Sequence, residues 1–232
     1  MTASIDPSAA LLECVEHATA AAPAWTILWL HGLGADGHDF APIVPQLVQP
    51  GWPAVRFVFP HAPVRAVTIN NGARMRAWYD IVDFDLARRA DEGGVDQSVA
   101  QVEALIAREA GRGVPASRVV LAGFSQGGAV ALAAGLRRTQ PLAGVVALST
   151  YLPMPQRLLG EATAAARAQP VFMAHGTQDP VVPFAAGERS AQALADLGLA
   201  VDWRAYPMAH QVCAAQVADL GRWLGERMRA AP

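Results

Sequence analysis

The sequence contains no lysine. Its 18 basic residues are all arginine, balanced by 20 acidic residues to a net charge of −2. Basic runs are also missing, which argues against nucleic acid or an anionic membrane surface as the main partner. Cysteine is almost as scarce: Cys14 and Cys213 provide no disulfide framework for 232 residues, and a reducing, cytoplasmic location fits this usage. The first basic side chain is Arg56, so the charged start of a secretory signal is not seen. With 16% charged and 53% apolar residues, the composition is that of a folded chain and not a disordered one. One uncharged stretch of 18 residues, Val119 to Leu136, is broken by Gly123-Phe124-Ser125-Gln126-Gly127-Gly128. It reads as a buried strand followed by a buried helix, and no stable membrane insertion is expected.

What is present is an alternation of short apolar runs with helical patterns, the sign of βα units on a mostly parallel sheet. Strands are expected at Thr26–Leu30, Val55–Phe59, Arg118–Ala122, Gly144–Leu148, Pro170–Ala174 and Ala200–Tyr206. Helices are expected near His38–Val48, Val95–Glu109, Gln126–Arg137, Phe184–Leu197 and Gln211–Met228. The strands are continuously apolar, as when helices cover both faces of a sheet. Residues 1–232 are expected to form one α/β domain; within the N-terminal segment 1–25, Ile5–His17 reads as a possible edge strand. Pro60–Gly94 is the longest irregular region, a length that usually has a functional reason. Its acidic residues Asp80, Asp83, Asp85, Asp91 and Glu92 read as a solvated loop.

Gly123-Phe124-Ser125-Gln126-Gly127 matches the G-x-S-x-G pattern of a nucleophile elbow, and it stands between an apolar strand and an apolar helix. Such a turn leaves the serine hydroxyl at a helix N-terminus, where developing negative charge is favoured. A glycine-rich phosphate turn of the dinucleotide-binding kind would instead need G-x-G-x-x-G near a first strand. A serine needs a base, and the base an orienting acid. In the order Ser, acid, His, the candidate base is His210, after the last strand, with His175 as support for its own loop. The candidate acid is Asp179, after the fifth strand, in preference to Asp196 within a helix and Asp202 within a strand. An oxyanion needs two backbone donors. Gln126, next to the serine, and Leu33, in His31-Gly32-Leu33-Gly34, fit that role. His31, His61 and His175 lack the spacing of a metal site, so neither a metal nor a cofactor is expected. Cys213 reads as a buried, inert thiol.

Together with Phe59-Pro60-His61-Ala62-Pro63, Met75-Arg76-Ala77-Trp78-Tyr79-Asp80 and His175-Gly176-x-x-Asp179-Pro180, these segments occur in an order that resembles the phospholipase/carboxylesterase family of α/β-hydrolases. That family contains small bacterial carboxylesterases and the acyl-protein thioesterases. The resemblance spans Ile27 to Leu224. It implies an α/β-hydrolase fold, a Ser125–Asp179–His210 triad, and Leu33 and Gln126 as oxyanion donors, in agreement with the residue-level reading. It further implies that Met75, Trp78, Leu152 and Val182 line or border an apolar acyl site. Thr2 stands where some members carry a lipidated cysteine, so self-anchoring is unsupported. The expected activity is hydrolysis of a small-molecule carboxylic ester. The alternatives are an acyl-protein thioesterase, a lysophospholipase, or a non-catalytic binding protein on the same fold; a homodimer is left open. The segment Ser149–Gln169, with Pro153, Pro155 and one short helix, is too small to build a multi-helix cap.

Overall fold

The computed structural model describes residues 11–83 and 91–230. Its main sheet has the order β1-β3-β2-β6-β7-β8-β9. These strands are β1 (Cys14–Ala18), β2 (Trp25–Leu30), β3 (Val55–Pro60), β6 (Val119–Phe124), β7 (Gly144–Leu148), β8 (Val171–Gly176) and β9 (Val201–Tyr206). All adjacent pairs run parallel except β1, which lies antiparallel along β3 with Val15 opposite Phe59. The N-terminal segment thus supplies an edge strand, at its C-terminal end; Ile5 to Ala10 lie outside the described residues.

Strand pleating sends alternate side chains into two cores. Leu28, Leu30, Leu121 and Val145 pack with α2 (Glu92–Gly111), α3 (Gln126–Arg137) and Leu194 of α6 (Phe184–Asp196). Ile27, Trp29, Phe57 and Phe172 pack with Leu47 of α1 (Val44–Leu47) and with Leu220, Trp223 and Leu224 of α7 (Ala214–Ala230). Helices therefore cover both faces, which is why the central strands carry apolar residues on both sides of the sheet. The α7 helix begins three residues later than the sequence pattern suggests. Gln211 is held in a turn by its N–H to Ala209 O, so Cys213 precedes the helix and is half-buried, not buried.

Near the edge, the buried Glu109 carboxylate of α2 accepts from Thr26 Oγ1 at 2.9 Å and pairs with Arg56 at 2.7 Å. Arg108 and Arg112 each bridge Glu109 to Glu16 of β1. Burial pushes the Glu109 carboxyl up, but the hydrogen bonds from Arg56 and Thr26 and the charges of Arg112 and Arg108 outweigh it, and the net shift is downward. The lone antiparallel strand is tied to the body by charge as well as by its ladder.

Three segments differ from the pattern-based expectation. The expected helix at His38–Val48 is a 3-10 turn, Ala41–Ile43, running into the four-residue α1, because Pro42 and Pro45 remove N–H donors within one turn of each other. Within Pro60–Gly94, β4 (Val64–Val67) and β5 (Ala73–Arg76) form an antiparallel hairpin whose turn has Asn71 at φ 54° and Gly72 at φ 76°. That Asn-Gly pair is a strong hairpin signal. Two of the acidic residues there bind backbone. Asp80 accepts from Thr68 N and Oγ1, and Asp91 caps α2 by accepting from Gly94 N at 2.9 Å. Asp85 lies outside the described residues. After β7 there are two short helices, α4 (Pro155–Glu161) and α5 (Ala164–Ala168), separated where Thr163 Oγ1 accepts from Ala166 N. Leu158 and Ala166 are buried in the α3 core, so this segment hugs the body and forms no separate cap.

Candidate active site

The β6–α3 turn places Ser125 at φ 53° and ψ −121°, a conformation that non-glycine residues adopt only where the surroundings impose it. The turn can be this tight because α3 lies directly on β2. A Cβ on Gly127 would stand 2.4 Å from Leu30 O and 2.6 Å from His31 O. Thr150 Oγ1, which the sequence reading did not single out, donates to Ser125 O at 2.6 Å and holds the turn from the β7 side.

His210 reaches the serine from the loop after β9. Its Nε2 is 2.9 Å from Ser125 Oγ and its Nδ1 is 2.7 Å from Asp179 Oδ2, while its ring lies against Phe124 with centroids 4.8 Å apart. A carboxylate only accepts, so Nδ1 carries the proton and Nε2 is left to accept from the serine hydroxyl. Asp179 is fixed from behind: Oδ1 accepts from Val181 N at 2.8 Å and Val182 N at 2.9 Å, and its side chain is fully shielded. His175 supports the same loop. Its Nε2 donates to Val182 O at 2.9 Å and lies 3.4 Å from Asp179 Oδ2, and burial lowers its pKa. The structure thus brings together Ser125, Asp179 and His210 from the ends of three different strands.

Gln126 is the first residue of α3, where a helix N–H has no partner within the helix. Leu33 lies in the loop after β2, between His31, whose carbonyl accepts from Trp78 Nε1 at 2.9 Å, and Gly34, whose N–H donates to Arg76 O at 2.9 Å. Gln126 thus follows the serine directly, and Leu33 sits on backbone anchored on both sides.

Of the four residues implied as acyl contacts, Met75 is half-buried, and its sulfur lies 3.8 Å from where a Gly34 Cβ would stand. Trp78, Leu152 and Val182 are buried. Trp78 spends its indole N–H on His31, Leu152 N–H donates to Ser190 Oγ, and Val182 O accepts from His175. Of the four, Met75 is thus the one that is not fully buried. No group of three His, Cys, Asp or Glu among the described residues is arranged to hold a metal ion. No helix among them is long and apolar enough to cross a membrane.

His31, part of the candidate oxyanion loop, is buried and neutral. Burial pushes its pKa from 6.5 down to about 4, while its Nδ1 donates to Gly32 O and its Nε2 accepts from Ala62 N. The unfolded chain binds this proton near 6.5 and the folded one only at about 4. Stability from this group is therefore complete above the unfolded value and is lost as pH falls through the folded one. The expected loss is on the order of 2–3 kcal/mol. Urea unfolding at pH 7, 5.5 and 4 checks it: the wild-type midpoint should fall across this range, and His31→Gln should flatten the dependence. An unchanged slope in the variant would place the titrating group elsewhere.

A strained serine at a strand–helix turn, reached by a carboxylate-oriented imidazole on a parallel sheet, defines an enzyme of the α/β-hydrolase class. A profile of the phospholipase/carboxylesterase family matches residues 13–226. Acyl-protein thioesterase 1 of Mycosarcoma maydis is 38% identical over 217 residues, covering 87% of this chain and 90% of the relative. The protein of the same name from Cryptococcus neoformans is 35% identical over 221 residues, covering 88% and 92%. Among solved structures, Arabidopsis thaliana SOBER1 superposes with a TM-score of 0.83 at 33% identity, over 88% of this chain and 99% of its own. The chain belongs to the phospholipase/carboxylesterase family.

Proposed function

We propose that this chain is a serine carboxylesterase that works through an acyl-enzyme, with Ser125, His210 and Asp179 as its triad. The observation that carries the reading is the chain of contacts at 2.9 Å and 2.7 Å from Ser125 Oγ through His210 to Asp179, on a serine held at positive φ. His210 Nε2 takes the hydroxyl proton as Ser125 Oγ attacks the ester carbonyl. The N–H groups of Leu33 and Gln126 stabilise the oxyanion, and the imidazolium returns its proton to the leaving alkoxide. Water then attacks the acyl-enzyme with His210 again as base. Asp179 keeps the imidazole in the required tautomer throughout. The acyl group would lie against Met75, backed by Trp78, Leu152 and Val182. The proposed substrate is a small-molecule ester, met in the cytoplasm by a chain acting as one domain.

Thioester cleavage is the second reading, favoured by the names of the relatives at 35–38% identity. A panel of p-nitrophenyl esters from acetyl to palmitoyl, run beside acyl thioesters, separates the two and gives the chain-length preference. Because α4 and α5 lie on α3, turnover of monomeric short- and medium-chain esters is expected without a jump at the aggregation threshold. Negligible activity on monomers would show a cover over the site. A fluorophosphonate that fails to label Ser125 would favour the binding-protein alternative.

A further inference from the structure

The side chain of Gln126 has a use that its backbone N–H does not explain. It is 3% exposed, and both ends of its carboxamide are bonded: Oε1 accepts from Trp78 N at 2.9 Å, and Nε2 donates to Tyr79 O at 2.7 Å. The segment it grips is in turn bonded to the loop after β2 that carries Leu33. Trp78 Nε1 donates to His31 O at 2.9 Å, Arg76 O accepts from Gly34 N at 2.9 Å, and Arg76 Nη1 donates to Ala62 O at 2.8 Å. His31 closes the loop by accepting from Ala62 N at 3.1 Å. Leu33 is thus anchored on both sides by residues 76–78, and those residues are keyed to the side chain of the residue that supplies the opposite donor.

We propose that the Gln126 carboxamide is a positioning residue for the oxyanion hole, fixing the separation of the Leu33 and Gln126 N–H groups through the Arg76–Tyr79 segment. This rests on the reading of those two groups as the oxyanion donors. The physical argument is one of distance. Donors stabilise the transition state only when both lie within hydrogen-bond reach of the place the oxyanion will occupy, and they belong here to two segments of chain distant in sequence. Ladder bonds between β2 and β6 align the strands beneath, with Leu30 opposite Gly123, but end before Leu33. The carboxamide bridge carries the alignment over that gap. It is buried, so water does not compete for its bonds.

The test is Gln126→Met, which keeps the backbone N–H and about the same volume but removes both side-chain bonds. Loss of one oxyanion donor costs roughly 10²–10³ in kcat, so drawing one of the pair out of reach should lower kcat by about 10². KM for p-nitrophenyl butyrate should change less than about threefold, because ground-state binding does not use the hole. The midpoint of the pH–rate curve should stay, because the Ser125–His210–Asp179 contacts are untouched. Affinity for an alkyl boronic acid, which forms a tetrahedral anion on Ser125, should fall by the same factor as kcat. If Gln126→Met does not fold, Trp78→Phe removes the far end of the bridge, the indole N–H to His31 O, and should show the same signature. A folded variant with near wild-type kcat, or with the loss appearing in KM while boronate affinity is kept, would overturn the proposal. Ser125→Ala in parallel keeps the two readings apart: its retained turnover would refute the serine mechanism, whereas an inactive Ser125→Ala beside a fully active Gln126→Met would refute the bridge alone.

Discussion

Ser125→Ala is expected to abolish ester turnover while the thermal midpoint stays close to that of the parent. The substitution removes one hydroxyl from a residue that is 9% exposed and leaves the Cβ that packs in the turn. It also leaves φ at 53°, so it neither adds nor relieves strain. Asp179→Asn is expected to lower kcat by about 10⁴, the magnitude known for the equivalent change in a serine protease. The reason is tautomeric. An amide nitrogen facing His210 Nδ1 donates where the carboxylate accepted at 2.7 Å, so the imidazole proton moves to Nε2 and the base is lost. Cys213→Ser should leave the rate nearly unchanged, since no contact joins its sulfur to the serine or the imidazole. Near-normal hydrolysis by Ser125→Ala or Asp179→Asn would refute the triad, and a large loss in Cys213→Ser would point to the thiol.

Much of this arrangement was legible in the sequence because each part carries its own local signal. Gly144–Leu148 and Gln126–Arg137 coincide with their elements because an unbroken apolar run bounded by Gly or polar residues admits few alternatives. Chain order and position after a strand sufficed to single out Asp179 and His210 among many Asp and His residues, since parallel strands deliver their following loops to one edge. Illegible features depended on contacts across the fold. Nothing in Gln126 itself announces that its carboxamide grips Trp78 and Tyr79, 48 and 47 residues away. The hairpin at Val64–Arg76 gives little sequence signal beyond Asn71-Gly72, because its strands are short, carry three arginines and pair only with each other. For Trp78 and Leu152 the family resemblance implies a place at the border of an acyl site, and residue type alone says nothing of how deeply they are buried. Their burial follows from hydrogen bonds to His31 and Ser190 that only the tertiary structure reveals.

Gly127→Ala and Ser125→Gly should move stability in opposite directions, although they lie two residues apart in one turn. At Gly127 the new methyl would meet backbone oxygens of Leu30 and His31 at 2.4 Å and 2.6 Å, well inside contact distance. Neither oxygen belongs to a flexible side chain; both are part of, or directly follow, central strand β2. Helix α3 would have to lift from the sheet, and its packing there is close enough to resist. A loss of about 3 kcal/mol is expected, the upper end for overpacking. Activity should fall with it, because the lift carries Ser125 Oγ away from His210 and a displacement of about 1 Å can cost 10² in rate. Ser125→Gly is inactive for lack of a nucleophile, but glycine accepts φ 53° without the penalty that serine carries. Relief of roughly 1–3 kcal/mol of strain is partly offset by the entropy glycine adds to the unfolded chain, about 0.5–1 kcal/mol. A net gain of about 1 kcal/mol should raise Tm by roughly 2–4 °C for a chain of this length. Differential scanning calorimetry of Ser125→Gly beside Ser125→Ala reads the strain relief net of one Cβ, since both lack the hydroxyl and only one keeps the strain. Equal midpoints for the two would mean that the elbow stores no strain, and a Gly127→Ala variant as stable as the parent would mean that α3 is free to move.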